Sequence, residues 1–205
     1  MTEAPSIRAF IAVELPEPVK TELAAFQRRL AAEQAAGIKW VSPNGIHLTL
    51  KFLGQAAPGQ IEAIRAALAT AVEPVPAFEL GLSGLGAFPN LRRMNVVWCG
   101  LSGGLDRLVE LQRAVEAEVS PLGFPAENRA FSPHLTLARL REDVSAEARQ
   151  ALAKKLAGTK FEPDLKIPVE DVSLMQSTLL PRGAEYRCLA SFRLAGRQPD
   201  RRQAP

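Results

Sequence analysis

The sequence predicts a mixed α/β (α+β) chain folded as a duplicated, bilobal unit. Each lobe is expected to be a small mixed or antiparallel sheet with helices on its outer face, and the two lobes to flank a central cleft. Three observations predict this. The chain has two histidines, and both open the same tetrapeptide, His47-Leu48-Thr49-Leu50 and His134-Leu135-Thr136-Leu137. Compared at the offset between them, the flanking segments repeat one order of elements: strand, helix, histidine strand, helix, strand. The connections between these elements vary too much in length for a doubly wound parallel sheet.

The first repeat covers about residues 7–86. Residues 7–14 read as a strand that ends at Leu15-Pro16. Residues 18–36 read as a helix, with Val19, Leu23, Phe26 and Leu30 at helical spacing. A loop leads to the His47 strand. Residues 58–72 form the next helix, carrying Ile61, Ile64 and Leu68, and residues 78–85 the closing strand. The second repeat covers about residues 94–176. Residues 94–101 are its first strand, and residues 105–119 its helix, with Leu105, Leu108, Leu111, Val115 and Val119 on one face. After the His134 strand, residues 145–156 form a helix for which Ser145 is a natural N-cap and Glu147 suits the first turn. Residues 165–175 close the repeat as one strand. A final strand, 186–194, has no counterpart. Residues 1–195 are thus one bilobal domain, and the polar residues 196–205 are expected to be a flexible tail.

Composition excludes some classes. With 205 residues, 47% hydrophobic and 23% charged, the chain can build a full core. No run of 18 apolar residues exists, so no membrane association is expected. The start shows no basic segment before an apolar stretch, so no secretory signal is expected. Cys99 and Cys188 lie far apart, each in a strand-like run. They are expected to be reduced and buried, as in a cytoplasmic protein. The net charge of +3 is compatible with a polyanionic partner without pointing to one.

The repeated motif carries the chemistry. On a strand, alternate residues face opposite sides, so His47 and Thr49 share one face while Leu48 and Leu50 share the other. The same holds for His134 and Thr136 against Leu135 and Leu137. The leucines belong to the core, and the two His-x-Thr faces can meet across the cleft. Two imidazoles facing one another suit phosphoryl chemistry: one removes a proton from the attacking oxygen and the other protonates the leaving oxygen. Threonine hydroxyls can donate to non-bridging phosphate oxygens. Two histidines without clustered Asp, Glu or Cys supply too few ligands for a zinc site, so neither a metal nor a cofactor is expected.

At this point the chain resembles a known family. The segments running from His47 to Gly54 and from Phe131 to Arg139 are similar to the two signatures of the 2H phosphoesterases. Among these they look most like the RNA 2′,3′-cyclic phosphodiesterases, once named 2′-5′ RNA ligases. The opening Arg8-Ala9-Phe10-Ile11-Ala12-Val13-Glu14-Leu15-Pro16, and the late Ser177, Gly183, Tyr186 and Leu189, extend the resemblance over about residues 7–194. It implies metal-independent hydrolysis of a terminal 2′,3′-cyclic phosphate to a 2′-phosphate, and it admits the reverse joining of RNA ends. His47 would be the proton donor and His134 the proton acceptor, by analogy alone, with Thr49 and Thr136 holding phosphate. The implied partner is an RNA end or oligonucleotide carrying the cyclic phosphate, and the implied protein a cytoplasmic monomer.

Four further residues are expected at the site through the resemblance. Arg139 would contact phosphate and Phe52 would stack on a base, while Arg129 and Tyr186 would line the groove. Arg139 and Phe52 each lie five residues after their histidine. On an unbroken strand they would face away from it, so their use requires the strand to end, twist or bulge; Gly54 makes this plausible after Phe52. Two other readings of the motif stand beside this one. The site could act on a cyclic nucleotide or ADP-ribose cyclic phosphate metabolite, or the chain could be a non-catalytic module that binds RNA ends.

Overall fold

The computed structural model describes residues 6–31, 37–127, 129–180 and 183–195; the tail at 196–205 lies outside the described residues. The elements run β1 (Ile7–Glu14), α1 (Glu17–Ala31), β2 (Ile38–Trp40), β3 (His47–Ala56), α2 (Ile61–Val72), β4 (Phe78–Phe88) and β5 (Val96–Gly103). They continue with α3 (Leu105–Val119), β6 (Leu135–Leu140), α4 (Ala146–Gly158), β7 (Lys166–Val169), β8 (Asp171–Leu180) and β9 (Gly183–Arg193).

The helices form where their apolar stripes predict. α1 buries Val19, Leu23, Phe26 and Leu30, starts with Glu17 and ends with Arg28 and Arg29, so charge at both ends suits its dipole. α3 buries Leu108, Leu111, Val115 and Val119. α4 is capped by Ser145, whose hydroxyl accepts from the Ala148 backbone N–H at 3.2 Å.

Two strands depart from expectation. Residues 165–175 are not one strand but two, β7 and β8, broken at Glu170. β7 pairs with β4 and β8 pairs with β1, so the chain crosses from one lobe to the other at that point. Pro168 lies in β7, an edge strand, where a missing N–H is tolerated. The three-residue β2, beside β6, carries too short a pattern to read from sequence.

Every strand pair in the sheet is antiparallel, in the order β7-β4-β5-β6-β3-β1-β8-β9. The two halves meet at one residue pair, Leu48 opposite Leu135, in the middle of the two histidine motifs. The halves do not coincide with the sequence repeats. β4, from the first repeat, pairs with β5 of the second, and β8, from the second, pairs with β1 of the first. Each repeat therefore gives its last strand to the other lobe, which ties the lobes together across the cleft.

Leu48, Leu50, Leu135 and Leu137 are buried in one contiguous core with the helices. Each such leucine contributes about 1.5–3 kcal/mol of burial, so the core-facing half of the motif fixes the position of the other half. A smaller cluster of Phe10, Ala12 and Met175, packed on by Tyr186, lies apart from this core. Cys99 is buried as expected, and burial pushes its thiol up to about 12. Cys188 is not buried but exposed, because β9 is a terminal strand with a neighbour on one side only. Among the described residues no helix is long and apolar enough to cross a membrane.

Candidate active site

Both histidine strands carry a β-bulge at the same place. In β3, Thr49 lies opposite Ala12 and Lys51 opposite Ile11, so Leu50 is an extra residue. In β6, Thr136 lies opposite Trp98 and Ala138 opposite Val97, so Leu137 is the extra residue. A bulge reverses the face on which all later side chains lie. Leu50 and Lys51 are consequently both buried, and Phe52 returns to the face of His47 and Thr49. Leu137 and Ala138 are likewise both buried, and Arg139 returns to the face of His134 and Thr136. Gly54, at φ +70°, follows a second extra residue, Leu53, but the bulge that turns Phe52 lies earlier, at Leu50.

Each bulge is fastened by a buried polar side chain. The Leu137 carbonyl accepts from the Val41 backbone N–H and from Gln27 Nε2, both at 2.9 Å; Gln27 also donates to the Val41 carbonyl at 2.8 Å. Lys51 is the counterpart on β3. Its ammonium pairs with Glu116 of α3 and donates to the Pro125 carbonyl at 3.0 Å. Gln112 and Ser120 donate to the same carboxylate. Sequence reasoning named neither residue. Gln27 is a polar residue on the buried stripe of α1, a signal that could have marked it. Lys51 gave none, because strict alternation would have put it in the cleft.

The two motifs converge on one cleft of about 1340 Å³. His47, Thr49, Phe52, His134, Thr136, Arg139 and Tyr186 all line it. Arg129 does not: it is exposed on the loop before β6, outside the lining. β3 and β6 run antiparallel through the Leu48–Leu135 pair, so Phe52 and Arg139 leave it in opposite directions.

The two imidazoles have parallel supports and unlike surroundings. The His47 ring stacks on Phe10 with centroids 4.5 Å apart and meets the edge of Tyr186 at 5.0 Å. Its pKa is lowered to about 4, chiefly because burial disfavours the cation; the nearby Arg139 guanidinium adds to this, and a hydrogen bond to the Gly45 backbone opposes it. His134 Nδ1 lies 2.7 Å from the Ser132 carbonyl. A carbonyl can only accept, so that nitrogen carries the proton and Nε2 remains for substrate. The His134 ring meets Phe88 edge-on at 4.9 Å. Each histidine is thus oriented by the backbone two residues before it. Among the described residues, no three His, Cys, Asp or Glu side chains gather as a metal-ligand group.

This arrangement can hold a phosphate between two hydroxyls, with an imidazole beside each and an arginine on one side. The family model of LigT-like phosphoesterases matches residues 13–98 and again 101–186. An RNA 2′,3′-cyclic phosphodiesterase of Methanothermobacter thermautotrophicus is 32% identical, over 92% of this chain and 99% of its own. One of Thermotoga maritima is 30% identical over 93% and 97%. A solved structure from Thermus thermophilus superposes with a TM-score of 0.76 at 28% identity, covering 93% of this chain and all of that one. Apo Escherichia coli LigT superposes at 0.70 with 25% identity, over 95% and 100%. Two matched segments, full-length relatives and a shared fold lead to one conclusion: the chain belongs to the LigT-like phosphoesterases of the 2H superfamily.

Proposed function

We propose that the protein hydrolyses the terminal 2′,3′-cyclic phosphate of RNA to a 2′-phosphate by a two-histidine, metal-independent mechanism. The observation that carries the reading is the convergence of both His-x-Thr faces on one cleft. Full-length relatives named RNA 2′,3′-cyclic phosphodiesterase support the substrate class. His134 Nε2 takes a proton from water as the water oxygen bonds to phosphorus. The P–O3′ bond breaks, and His47 donates a proton to the departing O3′. Thr49 and Thr136 donate to the non-bridging oxygens, and Arg139 offsets their charge. Phe52, 57% exposed, offers a ring on which a base can stack. Tyr186 packs on His47 and holds its ring. With the 5′-hydroxyl of another RNA end in place of water, the same proton transfers would form a 2′-5′ phosphodiester as the P–O3′ bond of the cyclic phosphate breaks.

The donor role requires one further step. With a pKa of about 4, free His47 is neutral at pH 7. A bound phosphate anion beside it stabilises the imidazolium and offsets the nearby Arg139 charge, so His47 takes up its proton as substrate enters. The reading carries with it a cytoplasmic, monomeric protein.

The test is product analysis on a cyclic-phosphate oligonucleotide in EDTA. A 2′-phosphate product is expected. His47→Ala and His134→Ala should each lower kcat by ~10²-fold or more with the fold retained. A 3′-phosphate product would exchange the leaving oxygen and overturn the assignment of roles. Activity that EDTA abolishes and a divalent metal restores would overturn the mechanism.

A further inference from the structure

The cleft is lined by four cations, Arg8, Arg28, Lys39 and Arg139, and one carboxylate, Glu185. Two of the cations are placed at a cost. Lys39 of β2 lies directly opposite Arg139 of β6, so their side chains stand on one face as a cross-strand pair. Like charges in that position repel and weaken the pairing. Among the described residues neither is offset by an ion pair, and both are exposed. β2 is three residues long, so it has few other contacts with which to offset the repulsion. A fold that places two unpaired cations side by side on a cleft wall leaves a site whose missing component is an anion.

The position of the pair says which anion. Arg139 is close enough to His47 to depress its proton affinity. Lys39 is the next cation outward on the same face, beside Gly183 at the start of β9, where a Cβ would lie 3.7 Å from Nζ. A chain ending in a 2′,3′-cyclic phosphate has all its other phosphates on the 5′ side of the terminal nucleoside. A second anion site in the same cleft must therefore take an upstream phosphodiester. The cleft volume, about 1340 Å³, exceeds the ~300–1,000 Å³ usual for a site filled by one small molecule.

We propose that Lys39, standing beside Arg139 and backed by Arg28, forms a subsite for the phosphodiester immediately upstream of the terminal nucleotide, so that the enzyme prefers oligonucleotide ends to cyclic mononucleotides. The proposal rests on the phosphodiesterase reading and deepens it. Lys39 is outside the reacting centre: it contributes to holding the chain, while Arg139 faces the reacting phosphate.

The experiment compares diadenylate 2′,3′-cyclic phosphate with adenosine 2′,3′-cyclic phosphate for the intact protein, Lys39→Gln and Lys39→Arg. The intact protein should show a higher kcat/KM on the dinucleotide, with a steeper decline as salt is raised. Lys39→Gln should reduce that preference about tenfold, mainly through KM, and flatten the salt dependence by about one charge. Lys39→Arg should restore both. Because Lys39→Gln removes a like-charge pair, its melting temperature should be equal to or above that of the intact protein; a structural lysine would give a fall. Equal losses on both substrates, or a preference that survives Lys39→Gln, would overturn the subsite. Equilibrium binding of the corresponding 3′-phosphate dinucleotide and mononucleotide gives the same comparison without turnover. A Lys39-dependent binding preference with no hydrolysis would keep the subsite and sink the phosphodiesterase reading instead.

Discussion

The His47 and His134 sides of the cleft start from the same tetrapeptide and end with different surroundings. Both histidines are oriented by the carbonyl two residues upstream, and both strands bulge one residue after the threonine. His47 is enclosed by Phe10 and Tyr186, which exclude water from it, and faces the Arg139 charge. His134 sits against the edge of Phe88 and more distantly Trp98. The bulges are fastened differently too, by an ion pair at Lys51 and by a neutral amide at Gln27. A duplicated motif therefore gives two equivalent positions, and the neighbours contributed by β1, β9, α1 and α3 make them inequivalent. Catalytic pairs are commonly built by such division of environment rather than of residue type.

The fastenings offer the largest contrast. Glu116→Gln would leave the Lys51 ammonium buried without its counter-charge, since its side chain is 1% exposed. Breaking a buried pair in this way costs about 3–5 kcal/mol. Gln27→Ala removes two hydrogen bonds and leaves the Val41 carbonyl and one lone pair of the Leu137 carbonyl without that donor, at about 1–3 kcal/mol. Urea unfolding of both variants would check the ranking. A Gln27→Ala protein less stable than Glu116→Gln would show that the amide, not the ion pair, is the stronger tie.

The enclosure of His47 offers the next. Tyr186→Ala opens one side of the ring to water, so the cost of charging it falls. The His47 pKa should rise from about 4 toward the ordinary 6.5, while the Phe10 stack retains part of the depression. Titration of the imidazole by NMR, with and without inorganic phosphate, would follow it. In the intact protein phosphate should raise the His47 value. A value that phosphate leaves unmoved would remove the account given for its role as proton donor.

Much of this was legible in the sequence, and the limits have physical causes. The helical stripes of α1 and α3 and the core leucines of both motifs follow directly from period and alternation. Alternation failed at Lys51, Phe52, Ala138 and Arg139, because a bulge adds a residue without any residue type that announces it. The split at Glu170 was hidden because strand-forming residues run on both sides of it, and only tertiary pairing decides that the halves belong to different lobes. Gln27 and Tyr186 reach the site from elements distant in the chain; the α1 stripe marks Gln27 as buried, and the resemblance marks Tyr186, but neither shows which side chain it approaches.

The smallest expected effect is also the cleanest test of the asymmetry, because it needs no substrate. In the unfolded chain His47 titrates near 6.5, and in the folded protein near 4. Above pH 6.5 both states hold the neutral ring, and this group adds no pH dependence. Between about 6.5 and 4 the unfolded state binds a proton that the folded state does not, so stability falls as the pH is lowered through that window. Below about 4 both are protonated and the slope from this group ends. In His47→Gln this contribution is absent. The difference in unfolding free energy between the intact protein and His47→Gln should therefore move steadily against the intact protein from pH 6.5 to 4, while the carboxylates common to both cancel. Parallel stability curves across that window would mean that His47 is as open to water as a surface histidine, and that Phe10 and Tyr186 do not set it apart from its partner.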